Sequence, residues 1–586
     1  MKKLLLSLTL LCASLAYGQR DPKMDAFIDD LMSKMTLDEK LGQLNLASGG
    51  VPGVVGAAVG QDEAIRKGYL SATGGMDPAA TQKAQEIAVK ESRLGIPLLI
   101  GLDVIHGYKT VFPIPLAISC SWNPELIRKS ARIAAEEASA FGINWFYSPM
   151  VDIARDARWG RIAEGSGEDP WWGSEIAKAM VKGYQGDDLS APNTVMACVK
   201  HYALYGASEA GRDYNTVDMS RVAMYNYYLP PYKAAAEAGA GSFMSSFNVV
   251  DGIPATGNRW LLTDVLRDQW KFDGFVVSDA GSVGEMTAHG MGDLQQVAAL
   301  ALKAGLDMDM GANAFIWTLK KSLDEGKVTR QEIDQACRRI LEAKYKLGLF
   351  DNPYQYTDPE RQKKALSPEY LQTARELAGE SIVLLKNDRQ ILPLQKTGKI
   401  AVIGPMGNTR GELFGTWVML REEAPARSIF EAVKEVVGDR AEVVYAQGSN
   451  LTEEPMLLAQ TGKNTTPTET LIEQALETAK DADVIVATVG EPSGWSGEAR
   501  SRIGLPECQK ALLKALHDTG KPVVVAIMSG RPLTLSWENE RFDAILEAWH
   551  GGTMAGYALA DVLFGDRVPS GKLTATFPQS VGQLPL

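Results

Sequence analysis

Short apolar runs alternate with segments of helical periodicity through the first part of this chain, and this alternation limits its fold more than any other feature. Such runs are typical of buried parallel strands, and the intervening segments, among them 124–141 and 218–238, have the spacing of amphipathic helices. Eight runs with helices between them over roughly 300 residues predict a (β/α)8 barrel of the TIM type. The predicted strands are 41–46, 68–71, 96–104, 143–151, 195–201, 241–247, 274–279 and 305–309.

A second α/β pattern follows the first. Residues 351–368 are charged and interrupted by proline, which is typical of a linker. We therefore expect the barrel to occupy 19–350, and a second α/β sandwich domain with a mostly parallel sheet to occupy 369–586. This domain is predicted to open with a helix at 369–386. Its predicted strands are 399–404, 441–446, 484–489, 522–528 and 542–548. The turn Gly404-Pro-Met-Gly-Asn-Thr409 has neither a Walker lysine nor a GxGxxG spacing, so no nucleotide site is predicted.

The ends and the composition of the chain exclude several classes of function. A net charge of −12 argues against a nucleic-acid partner. Lys2-Lys3, the apolar stretch 4–15 and the small residues before Gln19 are typical of a signal peptide at 1–18, so we expect a periplasmic or secreted protein. No other stretch is apolar for long enough to span a bilayer. The remaining cysteines lack metal-type spacing, and we expect no metal and no cofactor.

Polar residues gather where the predicted barrel strands end, which is where α/β barrels carry their chemistry. The clearest case is Gly274-Phe-Val-Val-Ser-Asp279, in which a buried run leads directly into one carboxylate. Asp279 is placed either as a working carboxylate or as the cap of the following helix. The other polar residues at or near the predicted strand ends are Asp103, Lys200, His201, Asn248 and Asp307, and the loop after the fourth strand adds Arg158 and Arg161.

Two kinds of chemistry fit this predicted rim. Lys200 at the end of a buried strand is a candidate Schiff-base nucleophile of the aldolase type. Alternatively, Lys200 and His201 donate hydrogen bonds to the hydroxyls of a sugar, and a ring of charged groups around Asp279 favours this second hypothesis. In a third interpretation, Arg158 and Arg161 only fix their loop.

Glycoside hydrolysis usually needs a second carboxyl group. The barrel offers Asp103, Glu164 and Glu168. The second domain offers Glu491 and Glu498, on a glycine-containing loop that leaves a predicted strand. Spacing alone does not decide between these candidates.

Five motifs in this order resemble glycoside hydrolase family 3, in particular its periplasmic bacterial β-glucosidases. They are Gly101-Leu-Asp-Val-Ile-His-Gly107, Arg155-Asp-Ala-Arg-Trp-Gly-Arg161 with Gly167-Glu-Asp-Pro170, Lys200-His-Tyr202, Gly274-Phe-Val-Val-Ser-Asp279 and Glu498-Ala-Arg-Ser-Arg502. The resemblance implies a retaining mechanism with Asp279 as the nucleophile and Glu498 as the acid/base. It also implies glycone contacts from Asp103, Arg158, Lys200 and His201 with Met244 nearby, and stacking of Trp417 on the leaving-group sugar.

Three departures from the family pattern accompany the resemblance. Ala280 follows the nucleophile where relatives often carry an aromatic residue. The segment Lys200-His-Tyr-Ala-Leu-Tyr-Gly206 lacks the second histidine of the N-acetylglucosaminidase branch. Relatives usually continue into a fibronectin-type β-sandwich, and we expect this sequence, which ends at Leu586, to lack it.

The sequence therefore predicts an exo-acting β-glucosidase that hydrolyses terminal β-D-glucosyl residues from oligosaccharides or glycosides. A β-xylosidase of the same family, a Schiff-base aldolase and a non-catalytic sugar-binding protein are the alternatives.

Overall fold

The computed structural model describes residues 21–47, 60–455, 458, 466–495 and 497–586. The predicted signal peptide lies outside the described residues. The chain forms an eight-stranded parallel barrel followed by a six-stranded mixed sheet, and a short hairpin projects from the barrel. This architecture confirms the predicted fold class.

The barrel strands pair in the order β10-β1-β2-β3-β4-β5-β6-β9, and every pair is parallel. A bridge between Val277 and Met308 brings the two outer strands together and nearly closes the barrel. The strands are β1 (Asn45–Ala47), β2 (Ala72–Gly74), β3 (Leu99–Leu102), β4 (Trp145–Phe146), β5 (Met196–Tyr202), β6 (Ser242–Ser245), β9 (Phe275–Ser278) and β10 (Asp309–Met310), and the hairpin pairs β7 (Val249–Val250) with β8 (Ile253–Pro254).

The barrel has eight strands as predicted, but three of them begin clearly later than predicted. The first overlaps its prediction only at 45–46 and the eighth only at Asp309, and the second prediction, 68–71, ends just before β2 begins at Ala72. Residues 41–43 belong to the helix Leu37–Gln43, whose start is fixed by a capping box between Thr36 and Glu39. A reciprocal cap of this kind satisfies two free backbone amides, so it overrides the apolar run that follows. The chain from Pro22 to Gln43 accordingly forms two helices, separated at Met35 and Thr36.

Helices cover the outside of the barrel, and most begin at a proline or a capping side chain. The predicted helix 218–238 is interrupted, since a π-helical turn at Met224–Tyr228 separates Arg221–Ala223 from Pro230–Glu237. A second π-helical segment spans Trp260–Gln269. The α-helices of this half are α1 (Pro22–Lys34), α2 (Leu37–Gln43), α3 (Gln61–Arg66), α4 (Pro78–Lys90), α5 (Pro115–Cys120), α6 (Pro124–Ala140), α7 (Pro170–Gln185), α8 (Arg221–Ala223), α9 (Pro230–Glu237), α10 (Ser282–Glu285), α11 (Leu294–Ala304), α12 (Ala314–Asp324), α13 (Arg330–Lys346) and α14 (Pro359–Gln362).

The second sheet has the order β11-β16-β15-β14-β12-β13. Five strands are parallel, and β11 joins β16 as an antiparallel edge. The predicted helix 369–386 is wrong at its end, because the helix stops at Ser381 and Val383–Asn387 form β11. The elements are β11 (Val383–Asn387), β12 (Gly398–Ile403), β13 (Ala441–Ala446), β14 (Val484–Gly490), β15 (Val523–Met528), β16 (Ala544–Glu547), α15 (Pro368–Ser381), α16 (Ile429–Val437), α17 (Thr468–Ala479), α18 (Glu507–Asp518), α19 (Ser536–Arg541) and α20 (Ala555–Leu563).

An apolar cluster joins the two halves. Ile114, Trp159 and Tyr205 from the barrel pack in one buried group with Val383 and Trp549 from the second sheet. Burying large aromatic and aliphatic side chains on both sides makes a separated arrangement costly. The barrel rim and the second sheet therefore face each other in a fixed relation.

None of the helices in the described ranges is both long and apolar enough to cross a membrane. The four cysteines in these ranges, Cys120, Cys198, Cys337 and Cys508, are buried free thiols.

A lysine is buried beside Gln43, which lies just before the amino end of β1. Lys344 on α13 is fully buried, and its Nζ donates a hydrogen bond to Oε1 of Gln43 at 2.7 Å. Burial lowers the pKa of Lys344 to about 7, because the charged form loses its hydration. The unfolded chain therefore binds one more proton than the native chain between about pH 7 and the usual lysine pKa of 10.5.

We predict that Lys344 makes the protein more stable as the pH rises from 7 to 9, by up to roughly 1.4 kcal/mol per pH unit. Lys344→Met should remove this slope and raise the free energy of unfolding at pH 7. Urea unfolding of both proteins at pH 7, 8 and 9 measures the effect. An unchanged slope in the variant would show that Lys344 does not change protonation on unfolding.

Candidate active site

Asp279 lies directly after β9, at the carboxyl end of the barrel, with a side chain that is 14% exposed. Its Oδ1 accepts a hydrogen bond from the amide of Ala280 at 2.7 Å. Its Oδ2 is buried and finds no hydrogen-bond partner among the described residues. Burial raises the pKa of Asp279 to about 6, and the positive charges of Arg161 and Lys200 oppose that rise. A buried carboxylate oxygen left without a partner is typical of a group that acts on a ligand.

Lys200 and Asp103 form an ion pair beside Asp279. Lys200 Nζ lies 2.6 Å from Oδ1 of Asp103, and the lysine side chain is almost fully buried. A lysine that donates to a carboxylate at this distance makes a charge-assisted hydrogen bond, which engages its Nζ. This geometry disfavours the Schiff-base hypothesis and suits donation of hydrogen bonds to hydroxyls.

His201 is held by groups on both sides of its ring. Nδ1 lies 2.9 Å from Asp152, while Nε2 lies 2.7 Å from Nη2 of Arg161 and 3.7 Å from Oδ2 of Asp279. A guanidinium can only donate, so Nε2 must accept and the ring proton must be on Nδ1. Burial and the neighbouring charges of Arg161 and Lys200 keep the pKa of His201 well below its usual value. The imidazole is therefore neutral, and the lone pair of Nε2 is engaged by Arg161.

Asp152 holds His201 in place through hydrogen bonds. Its carboxylate also accepts from the backbone amide of His201 at 2.9 Å and from the hydroxyl of Tyr232. Burial raises the pKa of Asp152 to about 7, although the hydrogen bond from Tyr232 acts to lower it. This pair fixes the ring orientation and the tautomer of His201.

The structure separates the two arginines of the loop after β4. Arg158 turns to Asp156, which it contacts through Nε and Nη2 at 2.6–3.1 Å. Arg161 is buried, pairs with Glu164 at 2.6 Å and touches His201. Arg161 thus supplies the guanidinium next to Asp279, and the contact of Arg158 with the glycone stays a prediction.

Trp417 comes from the second domain and covers this group of charges. Its ring lies 5.4 Å from the guanidinium carbon of Arg161 and 5.5 Å from Nζ of Lys200. The neighbouring carbonyl of Thr416 lies 2.8 Å from Nε2 of His106, which fixes the segment to the barrel. An aromatic face held over cations in this way is stabilised by cation–π attraction.

Apolar and aromatic side chains lie near this charged group. Met244 is buried on β6 beside Val277 of β9. The ring of Tyr205 lies 5.4 Å from the guanidinium carbon of Arg161. Tyr214, which is 53% exposed, packs close to Tyr205.

Glu491 and Glu498 have opposite surroundings. Glu491 is fully buried, pairs with Arg500 and Arg531, and accepts from the amide of Gly530 at 3.3 Å. This position agrees with the expectation that Glu491 fixes its loop. Glu498 has an exposed side chain further along the loop, next to Gly497, which approaches Trp417. Glu498 is therefore the acid of this loop that remains available to a ligand.

Three other candidate acids are committed to structural contacts. Glu164 is buried in its pair with Arg161. Glu168 accepts from the amide and the hydroxyl of Thr576 at 3.0 and 2.8 Å. Asp307 does not lie at a strand end as predicted, because it precedes β10 and pairs with Arg267 at 2.5 Å.

Sequence reasoning gave Arg161 no particular place in the site and missed Asp152 and Arg531 altogether. Asp152 directly follows the fourth predicted strand and Asp279 is the last residue of the seventh, so a similar signal was present. Arg161 and Glu164 are three residues apart, a spacing that allows an ion pair on one helical turn. Arg531 carries no such local signal, because its partners lie far away in the sequence.

The geometry unites a buried carboxylate, donors suited to hydroxyl groups and an exposed acid from a second domain, which together define the site of a glycoside hydrolase. Residues 36–343 match the glycosyl hydrolase family 3 N-terminal domain, and residues 382–586 match the family 3 C-terminal domain. The chain belongs to glycoside hydrolase family 3.

Individual relatives agree with this assignment. The chain is 43% identical to a periplasmic β-glucosidase of Salmonella typhimurium, over 96% of this chain and 75% of the relative. It is 38% identical to a β-xylosidase of Formosa agariphila, over 87% and 73% of the two chains. The solved structure of a β-glucosidase from Listeria innocua with isofagomine is similar at a TM-score of 0.88 and 40% identity, covering 97% of this chain and 78% of that one.

We predict that Arg161 is required for activity and that the side chain of Arg158 is not. Arg161→Lys keeps a positive charge beside Glu164 but loses the planar N–H donors of the guanidinium. It should lower kcat/KM about 10- to 100-fold. Arg158→Ala removes a partly exposed ion pair and should change kcat/KM less than about threefold. Initial rates on an aryl β-glycoside, with Tm as the folding control, compare the two. A larger loss in Arg158→Ala would restore the assignment made from sequence.

Proposed function

We propose that this protein is a retaining, exo-acting β-glucosidase that removes terminal β-D-glucosyl residues from oligosaccharides or glycosides. The observation that carries the proposal is the unpartnered Oδ2 of Asp279, ringed by Arg161, Lys200 and His201. The similarity to named β-glucosidases from Salmonella typhimurium and Listeria innocua supports glucose as the sugar. The periplasmic relative and the signal-like N-terminus support an exported enzyme.

In the proposed first step, a carboxylate oxygen of Asp279 attacks C1 of the terminal glucosyl residue. The bond from C1 to the leaving oxygen breaks, and Glu498 gives its proton to that oxygen. In the second step Glu498 takes a proton from water, whose oxygen attacks C1 and displaces Asp279. The nucleophile must be ionised, and the charges of Arg161 and Lys200 limit the rise of its pKa caused by burial.

The remaining residues bind the sugar in this proposal. Asp103, Lys200 and Arg161 form hydrogen bonds with glycone hydroxyls, and His201 borders the glycone while its Nε2 accepts from Arg161. Met244 borders the glycone. Trp417 stacks on the sugar that leaves.

The first test concerns the nucleophile. Asp279→Ala should lower kcat by several powers of ten while Tm stays near that of the wild type, because the covalent route is lost. A 2-fluoro-glucoside should label the wild-type protein on the peptide that contains Asp279. Labelling on another peptide, or near-normal turnover by the variant, would make Asp279 a helix cap.

The second test separates Glu498 from Glu491. Glu498→Ala should lose about 10²-fold or more in kcat/KM on phenyl glucoside, whose leaving group needs a proton, and little on dinitrophenyl glucoside. Added azide should then raise its kcat, since azide needs no base. Glu491→Gln should impair all substrates alike. Azide rescue confined to the Glu491 variant would reverse the two roles.

A β-xylosidase is the second candidate, favoured by the similarity to the Formosa agariphila enzyme. Comparing kcat/KM for matched aryl glucosides and xylosides decides between the two sugars.

A further inference from the structure

Arg531 lies where the second domain meets the barrel, and none of its side chain is exposed. It follows β15 in the sequence Ser529-Gly-Arg-Pro532. Nη1 donates to the carbonyl oxygens of Ala157 at 3.1 Å and Arg158 at 3.3 Å, both on the barrel loop after β4. One edge of this guanidinium is therefore committed to the barrel.

The other edge holds the loop that carries Glu498. Nη2 donates to the carbonyl oxygens of Trp495 at 2.7 Å and Glu498 at 2.6 Å. Nε lies 3.2 Å from Oε1 of Glu491, which balances the buried positive charge. A planar guanidinium is suited to such a task, because its donors point in fixed directions.

Two further contacts press the same loop onto the barrel. The amide of Arg500 donates to the carbonyl oxygen of Arg158 at 2.9 Å. Gly160 touches the backbone of Glu498 so closely that an added Cβ would lie 2.2–2.4 Å from its oxygen, nitrogen and carbonyl carbon. Real side chains do not tolerate such distances, so residue 160 must be glycine for Glu498 to occupy this place.

Glu498 itself has an exposed side chain. A general acid must be held within hydrogen-bond reach of the oxygen that it protonates, and small misplacements are costly. Its backbone position therefore decides whether it can work.

We propose that Arg531, seated against the barrel loop 157–160, is the positioning residue that places Glu498 at the active site. The inference rests on the proposed function, in which Glu498 is the acid/base. It assigns the control of proton transfer to a residue that touches neither the sugar nor Asp279.

The contact of the Glu498 loop with Arg531 and the barrel loop 157–160 is called the seat of Glu498 below. The test uses two variants that disturb this seat from opposite sides. Arg531→Lys keeps a positive charge near Glu491 but cannot bridge four carbonyl groups. Gly160→Ala adds one methyl group on the barrel side and leaves Arg531 intact. The matched controls are Arg375→Lys, which alters an ion pair with Asp561 elsewhere in the second domain, and Gly582→Ala, where the added Cβ meets only ordinary contact at 3.7 Å.

Both seat variants should lose about 10²-fold in kcat/KM on phenyl glucoside and less than about threefold on dinitrophenyl glucoside. Azide should raise their kcat on the dinitrophenyl substrate, as it does for Glu498→Ala. The control variants should show neither effect. Loss of folding alone would lower the rates on both substrates by the same factor, so the ratio of the two separates positioning from stability.

Equal losses on both substrates, with no response to azide, would overturn the inference and leave Arg531 a purely structural residue. The proposed function is judged separately by Glu498→Ala. If that variant shows the leaving-group pattern and the seat variants do not, the inference fails and the function stands. If Glu498→Ala lacks the pattern, the acid/base assignment fails first.

Discussion

Keeping a carboxylate ionised inside a protein is the constraint on which this site depends. Asp279 stands at the end of a buried strand, where loss of hydration disfavours its charge. The cations Arg161 and Lys200 offset part of that cost, but each is buried and needs a partner of its own. Glu164 and Asp103 meet that need. The result is an alternating set of charges in which each member has a defined place.

This arrangement also explains the neutral state of His201. Arg161 and Lys200 already lie beside Asp279, so a protonated His201 would be repelled by them. Burial also lowers the pKa of His201. The ring therefore keeps one proton, directed at Asp152, and the lone pair of Nε2 accepts from Arg161. The site combines the donors Arg161 and Lys200 with the carboxylate acceptor Asp103, which suits sugar hydroxyls, since each hydroxyl both donates and accepts.

The barrel could be predicted from the sequence. The hydrophobic period, the lengths of the apolar runs and the polar residues at the strand ends all indicate the same fold. Asp103, Lys200, His201 and Asp279 could be grouped for the same reason, since parallel strands bring their carboxyl ends to one rim. Their individual roles stay predictions. The edge strand β11 was missed because only Ile382 separates it from α15, and neither glycine nor proline stands at that junction.

The arginines show where such reasoning stops. Arg158 and Arg161 lie on one loop with similar neighbours, and only the short 3-10 turn from Gly160 to Glu164 decides which of them turns inward. Arg531 was out of reach for another reason. Its partner Ala157 is 374 residues away, and no periodic pattern records a contact with carbonyl oxygens.

The loop from Ala157 to Arg161 takes part in the placement of both Glu498 and Asp279. One end receives Arg531 and the backbone of Glu498, and the other end places a guanidinium beside Asp279. The barrel and the second domain are consequently not interchangeable modules. A chimaera could join the barrel of one relative to the second domain of another. Its two carboxylates would keep their relative positions only if this loop and Arg531 came from the same parent protein.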